Sequence, residues 1–282
     1  MRRRPLEPRK TGITQTPILV TGGTGTLGRQ VVARLRSLDV RILGRRALDV
    51  DAGVELVLAD LATGQGVDEA LAGVEVVIHC AGSAKGDDLK ARTLVDAAKR
   101  AHVRHIVYIS VVGADTTPIE GPIDRAMFGY FGAKHAAEQV IASSGIPWST
   151  LRATQFHDLT FKTLEQLAKL PLMPIFSGFS FQPVNSGEVA DRLVALALGE
   201  PAGLVPAIGG PRVYRMDDLA RSYLAASGRR RLIVGVPVFG AAAQAQKAGA
   251  NLAPDRAVGR RTWEEFLAEK IGSDQTERAV AV

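Results

Sequence analysis

Along the first half of the chain, short apolar runs alternate with stretches whose apolar positions recur every three to four residues. The run PILVTG (17–22) is apolar and bounded by proline and glycine, which predicts a buried strand. The next stretch, TLGRQVVARLRSLD, puts Leu27, Val31, Leu35 and Leu38 on one stripe, the spacing of an amphipathic helix. Further strands are predicted at 40–44, 54–60, 74–80, 105–110 and 148–154. Helices are predicted over 87–101 and 130–145, the second closed by Gly145. Alternation of this kind predicts an α/β fold, a parallel sheet with helices on both faces.

Beyond about residue 155 the alternation loosens. Residues 156–170 read as a helix stopped by Pro171, and 172–185, rich in Pro, Gly and Phe, as a loop. Segments 186–199, 216–228 and 262–270 read as helices. The last opens on Thr262 with Glu265 three residues on, a capping box. The expected organisation is a basic disordered tail over 1–15, a nucleotide-binding domain over 16–155, and a smaller C-terminal substrate lobe over 156–282, interleaved with the first.

Composition narrows the classes. With 282 residues, 46% of them hydrophobic, the chain can bury a large core. The net charge of +6 is concentrated in MRRRPLEPRK, which carries five basic residues and one acid, so a nucleic-acid partner is not expected. No apolar run reaches 18 residues, which predicts no membrane span and no membrane partner. The nearest candidate, 232–243, is broken by Pro237 and glycines. A single cysteine, Cys80, allows no internal disulfide and fits a cytoplasmic protein. No metal-ligand spacing and no Gly-x-Ser-x-Gly elbow occurs.

Directly after the first predicted strand stands TGGTGTLG, with Thr21, Gly22, Gly23, Thr24, Gly25, Thr26, Leu27 and Gly28. A tight turn, a backbone bare enough for a pyrophosphate, and a helix N-terminus offering free N–H groups are what dinucleotide binding needs. The second strand ends ILGRR. With no acid before Asp49 to take a ribose 2′-hydroxyl, Arg45 and Arg46 point to a 2′-phosphate, hence to NADP(H) over NAD(H). Asp60 at the end of the third strand can accept from an adenine amino group while the backbone of Leu61 supplies the complementary bond.

The segments TGGTGTLG, GRR (44–46), ADL (59–61), HCAG (79–82), YIS (108–110), YFGAK (130–134) and RATQFHD (152–158) resemble the short-chain dehydrogenase/reductase superfamily, in its atypical, NmrA-like branch of NAD(P)H-binding proteins. The resemblance spans roughly the first 160 residues and is looser beyond. It implies a Rossmann-type doubly wound sheet, and contacts of Cys80, Ala81 and Gly82 with the cofactor. Tyr130 and Lys134 lie one helical turn apart. A nearby ammonium is expected to lower the phenol pKa. The resemblance implies that Tyr130 donates a proton as hydride arrives, that Lys134 also holds the nicotinamide ribose, and that Ser110 steadies the carbonyl. The relay asparagine that many of these reductases carry in the fourth helix is absent, since only Asn185 and Asn251 occur.

Gln155 and His157, just past the sixth strand, and Phe176, with Phe179 and Phe181, are candidate substrate contacts. The expected activity is NADPH-dependent reduction of a small, apolar carbonyl or quinone-like substrate by a monomer or homodimer. Two alternatives stand beside it: an NADP(H)-binding redox sensor or regulator without turnover, and a nucleotide-sugar epimerase or dehydratase, for which no clear arginine pair stands in the later lobe, although Arg212 and Arg215 keep the option open.

Overall fold

A computed structural model describes residues 16–82 and 86–280. The N-terminal tail lies outside the described residues. The apolar runs pair into a seven-stranded, wholly parallel sheet. In chain order the elements of its first half are β1 (Ile18–Thr21), α1 (Thr26–Arg34), β2 (Val40–Gly44), β3 (Val54–Leu58), α2 (Val67–Leu71), β4 (Val76–His79), α3 (Asp87–Arg100), β5 (His105–Val111), α4 (Pro122–Ala142) and β6 (Trp148–Ala153). There follow α5 (His157–Leu167), β7 (Leu172–Phe176), β8 (Ser180–Phe181), α6 (Ser186–Ala197), β9 (Gly203–Leu204), β10 (Tyr214–Arg215), α7 (Met216–Ala226), β11 (Leu232–Val236), α8 (Ala241–Lys247) and α9 (Trp263–Val280).

The sheet order β3-β2-β1-β4-β5-β6-β9 is that of a doubly wound Rossmann-like sheet. Each face is sealed by its own apolar cluster. Val20, Val31, Ile42, Val107 and Leu193 join α1 and α6 to one face, and Leu19, Ala70, Val77, Leu94 and Ile141 join α2, α3 and α4 to the other. The chain leaves β1 towards β2 and later re-enters at β4 on the opposite side. The crevice at that reversal, beyond the carboxyl ends of β1 and β4, is where such sheets bind ligands.

Two expectations change. Helix α4 starts at Pro122, not at Tyr130, and a proline in its first turn pre-sets the helical φ there. Its Asp124 carboxylate accepts the Gly121 N–H, and Ile123, Met127 and Tyr130 leave an apolar edge outside, so the core-facing periodicity becomes readable only further on. Segment 172–185 is no loop but carries β7 and β8. β7 pairs in parallel with the distant β11, from Leu232↔Leu172 to Val236↔Phe176, and β8 pairs with β10. Pro174 argues against a central strand, and a two-stranded ribbon has only edges. The capping box is present, with Thr262 N–H on Glu265 at 2.8 Å and Glu265 N–H on Thr262 at 3.3 Å.

Candidate functional site

The glycine loop joins β1 to α1 and forms one wall of the crevice. Gly22 has φ +67°, and a Cβ there would stand 2.7 Å from the Ala81 nitrogen, so the loops after β1 and β4 touch. At Gly28 an added Cβ would come to 2.1 Å from the Gly22 carbonyl oxygen, which forces glycine where α1 crosses the loop. Gly25 N–H donates to that same carbonyl at 2.9 Å. No side chain caps α1, and no acid lies in its first turn. The uncapped start and positive end of the helix dipole therefore face outward at exposed Thr26, ready for an anion. The cradle is one that side chains would fill, and it fits the diphosphate of a dinucleotide. Sequence reading passed over Arg29, which is exposed and braces the loop by donating to the Thr24 carbonyl at 2.7 Å.

Several cofactor candidates build the crevice rather than line it with side chains. Thr21 is fully buried. Its hydroxyl accepts the Ala81 N–H at 3.2 Å and lies 2.6 Å from His79 Nδ1. Burial, followed by the charges of Lys134 and Lys90, lowers the His79 pKa to about 3, so its ring is neutral and shares one hydrogen bond with Thr21. Burial pushes the Cys80 thiol up to about 12, the mark of an inert structural cysteine. Leu27 and Leu61 are core residues. Asp60 accepts the Ala62 N–H at 2.9 Å and holds its own turn. Arg45 and Arg46, beyond β2, are exposed and pair with no carboxylate among the described residues.

Helix α4 brings Lys134 under the opposite wall. Its ammonium is buried, donates to the Ile109 carbonyl at 3.2 Å and lies 3.3 Å from Asp87 Oδ2. It sits 4.9 Å from the ring centroid of Tyr108 and 5.8 Å from that of Tyr130. A Cβ on Gly82 would stand 3.0 Å from Nζ, so the bare backbone after β4 lets the lysine reach the crevice. Burial lowers the Lys134 pKa and Asp87 opposes that shift. Tyr130 is 38% exposed, and its pKa is raised, first by the burial of the rest of the residue and then by Asp87. This reverses the expected lowering, because burial raises the pKa most and the Asp87 carboxylate adds to it. Ser110, next to last in β5, is on the same side as Tyr108 by strand alternation. Both hydroxyls are buried with no hydrogen-bond partner among the described residues.

Asp87 and Tyr108, which complete the lysine site, left no signal in the sequence. Asp87 reads as an ordinary acid in the first turn of α3, and Tyr108 as a strand core residue. A second polar tie was also silent: Arg152 on β6 donates to both oxygens of buried Glu138 on α4, at 2.9 and 2.7 Å, and to Asp115 at 2.7 Å. It fixes α4 against the sheet one turn beyond Lys134.

The substrate candidates do not come together. Gln155 is half-buried at the end of β6. Phe176 is on β7 and leans on Phe179, which stacks on Phe128 of α4. His157 is fully buried against Trp263 and Phe266 in the core of the C-terminal lobe, with both ring nitrogens unpaired and its pKa lowered by burial to about 4. Packing accounts for it. Arg215, offered for a sugar diphosphate, pairs with Asp217 at 3.0 Å. No helix among the described residues is long and apolar enough to cross a membrane, and none of their His, Cys, Asp and Glu side chains cluster to hold a metal.

A doubly wound sheet with a bare glycine turn at its switch point defines a dinucleotide-binding fold. The profile of the NAD(P)H-binding family matches residues 22–197, and the chain belongs to that family. It is 34% identical over 143 residues to a (4-alkanoyl-5-oxo-2,5-dihydrofuran-3-yl)methyl phosphate reductase of Streptomyces griseus, a match that covers 49% of this chain and 48% of that protein. It is 25% identical over 240 residues to the photosystem II assembly factor Ycf39 of Trieres chinensis, covering 79% and 72% of the two chains. In fold it is similar to the NADPH complex of an NADPH-dependent quinone oxidoreductase of Escherichia coli, at a TM-score of 0.74 and 19% identity over 90% of this chain and 99% of that one.

Proposed function

We propose that the protein is an NADPH-dependent reductase of a small apolar carbonyl or quinone-like substrate, with Tyr130 as the proton donor. The observation that carries this reading is the placement of Lys134. It is buried, one turn from an exposed Tyr130, and set beside Gly82 at the crevice. Bound NADPH would supply the hydride. The amides of 22–28 would hold the diphosphate, Arg45 and Arg46 the 2′-phosphate, and Asp60 with Leu61 the adenine.

Tyr130 holds its proton at neutral pH, as the acid that completes a reduction must. A phenol that keeps its proton at neutral pH suits a general acid, which reduction requires, and is a poor base for dehydrogenation. Lys134 orients the ribose and places positive charge near the phenol as the proton leaves. Ser110, whose buried hydroxyl has no hydrogen-bond partner among the described residues, would donate to the substrate oxygen. The reductase named in Streptomyces griseus and the quinone oxidoreductase of like fold agree with this class of chemistry.

A second reading, nucleotide binding without turnover, is favoured by the contact of Lys134 with Asp87, which occupies the ammonium, and by the similarity to an assembly factor. NADPH oxidation against a panel of quinones and ketones separates the two. Under the first reading at least one acceptor is turned over, and Tyr130→Phe loses about 10²–10⁴ in rate while still binding NADPH. Tight NADPH binding with no turnover of any acceptor would select the second.

A further inference from the structure

The C-terminal lobe carries a surface that the nucleotide site does not use. Strands β7 and β11 form a two-stranded ribbon whose inner positions, Met173, Ile175 and Ile233, are packed into the lobe core. Its outer positions are Leu172, Pro174 and Phe176 on one strand, paired with Leu232, Val234 and Val236 on the other. All six are apolar, where a solvated ribbon would alternate to polar residues. Leu232 is 67% exposed, and Phe239, just beyond the ribbon, 72%. An apolar face of this kind marks an interaction site.

The charge beside it selects the partner. From Leu219 to Pro254 the chain has five basic and no acidic residues. At the start of β11, Arg229, Arg230 and Arg231 border an open groove of about 610 Å³ shared with Pro171 and Leu232. None of the three pairs with a carboxylate among the described residues, and Arg231 is fixed at the lip by donating to the carbonyls of Ala168 and Leu170, each at 3.0 Å. A nucleic acid would match the arginines but not the hydrocarbon. A second copy brought in by a two-fold axis would add its own arginines to the same interface.

The apolar surface also leads to the candidate site. Phe239 precedes Gly240, where an added Cβ would lie 2.5 Å from Asp124 Oδ1, so the end of the ribbon meets the start of α4. There Ile123, Met127 and Tyr130, at positions i, i+4 and i+7, form one exposed edge of the helix.

We propose that this ribbon and its arginine rim form a docking surface for an anionic lipid bilayer, with the apolar side chains in the acyl boundary and Arg229–Arg231 at the headgroup phosphates. The expectation of no membrane partner rested on the lack of a spanning run, and lying on a bilayer needs none. Such docking would bring apolar substrates to the Tyr130 edge. That consequence rests on the reductase reading, whereas the docking itself does not.

The test is co-flotation of the full chain with phosphatidylcholine vesicles, with and without phosphatidylglycerol, read as bound fraction rather than turnover. Binding is expected only with the anionic lipid and is expected to weaken with salt. Arg229→Glu with Arg230→Glu should lower it by at least about 25-fold, at about fivefold per arginine. Leu232→Thr with Val234→Thr should weaken it while leaving the melting temperature and NADPH affinity intact. Three outcomes would overturn the proposal. The first is no flotation at low salt. The second is binding unchanged by the Glu pair but abolished by Arg2→Ser, Arg3→Ser and Arg4→Ser, which would assign it to the basic head. The third is a dimer that the Thr pair dissociates, with no vesicle binding.

Discussion

The two walls of the crevice are built on opposite principles. On the β1 side the ligand-facing groups are backbone amides, and the side chains that matter are the ones left out. Glycine stands where Cβ atoms would collide at 2.1 and 2.7 Å, and the helix start is left uncapped. On the α4 side the work falls to side chains, and these already have partners: Lys134 holds Asp87 and the Ile109 carbonyl, and Glu138 one turn on holds Arg152. The backbone wall offers its ligand groups as they stand. The side-chain wall has two of the three Lys134 donors engaged and keeps one for a ribose.

Removing one partner of the buried pair is the strongest way to break this contrast. Asp87→Ala leaves an uncompensated ammonium under the sheet, and we expect a loss of about 3–5 kcal/mol in unfolding free energy. Denaturant melts would check it. A loss under about 1 kcal/mol would mean that Lys134 is hydrated and its placement is not enforced.

A smaller effect is expected at the ribose end of the backbone wall. Arg45→Ala with Arg46→Ala should weaken NADPH binding by about 2 kcal/mol, some thirtyfold, and leave NADH unchanged. Equal affinities of the unmutated protein for the two coenzymes would remove the role assigned to these arginines.

The smallest effect lies outside the crevice and serves as a control. His157 is neutral in the fold, with its pKa near 4 against an ordinary 6.5. The unfolded chain therefore binds the extra proton first. The stability from this residue is complete above pH 6.5 and is lost as pH falls from there towards 4. His79, lowered to about 3, acts in the same sense. His157→Phe should keep the aromatic stack and make the decline in unfolding free energy below pH 6.5 shallower, by about 1 kcal/mol near pH 5.5, as denaturant melts would read. An unchanged acid limb would mean that the ring is charged in the fold.

The same contrast explains what the sequence made legible. Backbone chemistry leaves a positional trace: a strand, three spaced glycines and a helix are contiguous, so the phosphate cradle and the alternating sheet could be read before any coordinates. Tyr130 and Lys134 were legible because they share one helix. Asp87 was not, because its partner lies 47 positions away on another element and a carboxylate in a first helical turn looks like a dipole cap. The β7–β11 ribbon was hidden for a related reason. Its strands are separated by α6 and α7, Pro174 argues against a strand, and the exposed apolar side chains have no polar alternation to betray the pairing.

The most direct test of the account concerns the cradle. Gly25 is exposed with φ −77°, and an added Cβ would meet only the Gly22 carbonyl oxygen, at a tight 3.2 Å, so Gly25→Val asks that carbonyl to shift by a few tenths of an ångström while a side chain stands where the diphosphate would approach. Titration calorimetry with NADPH should give a clear binding isotherm for the unmutated protein and none for Gly25→Val at equal melting temperature. Absence of heat in the unmutated protein, or equal affinity in the variant, would contradict a dinucleotide seated on the amides of this loop.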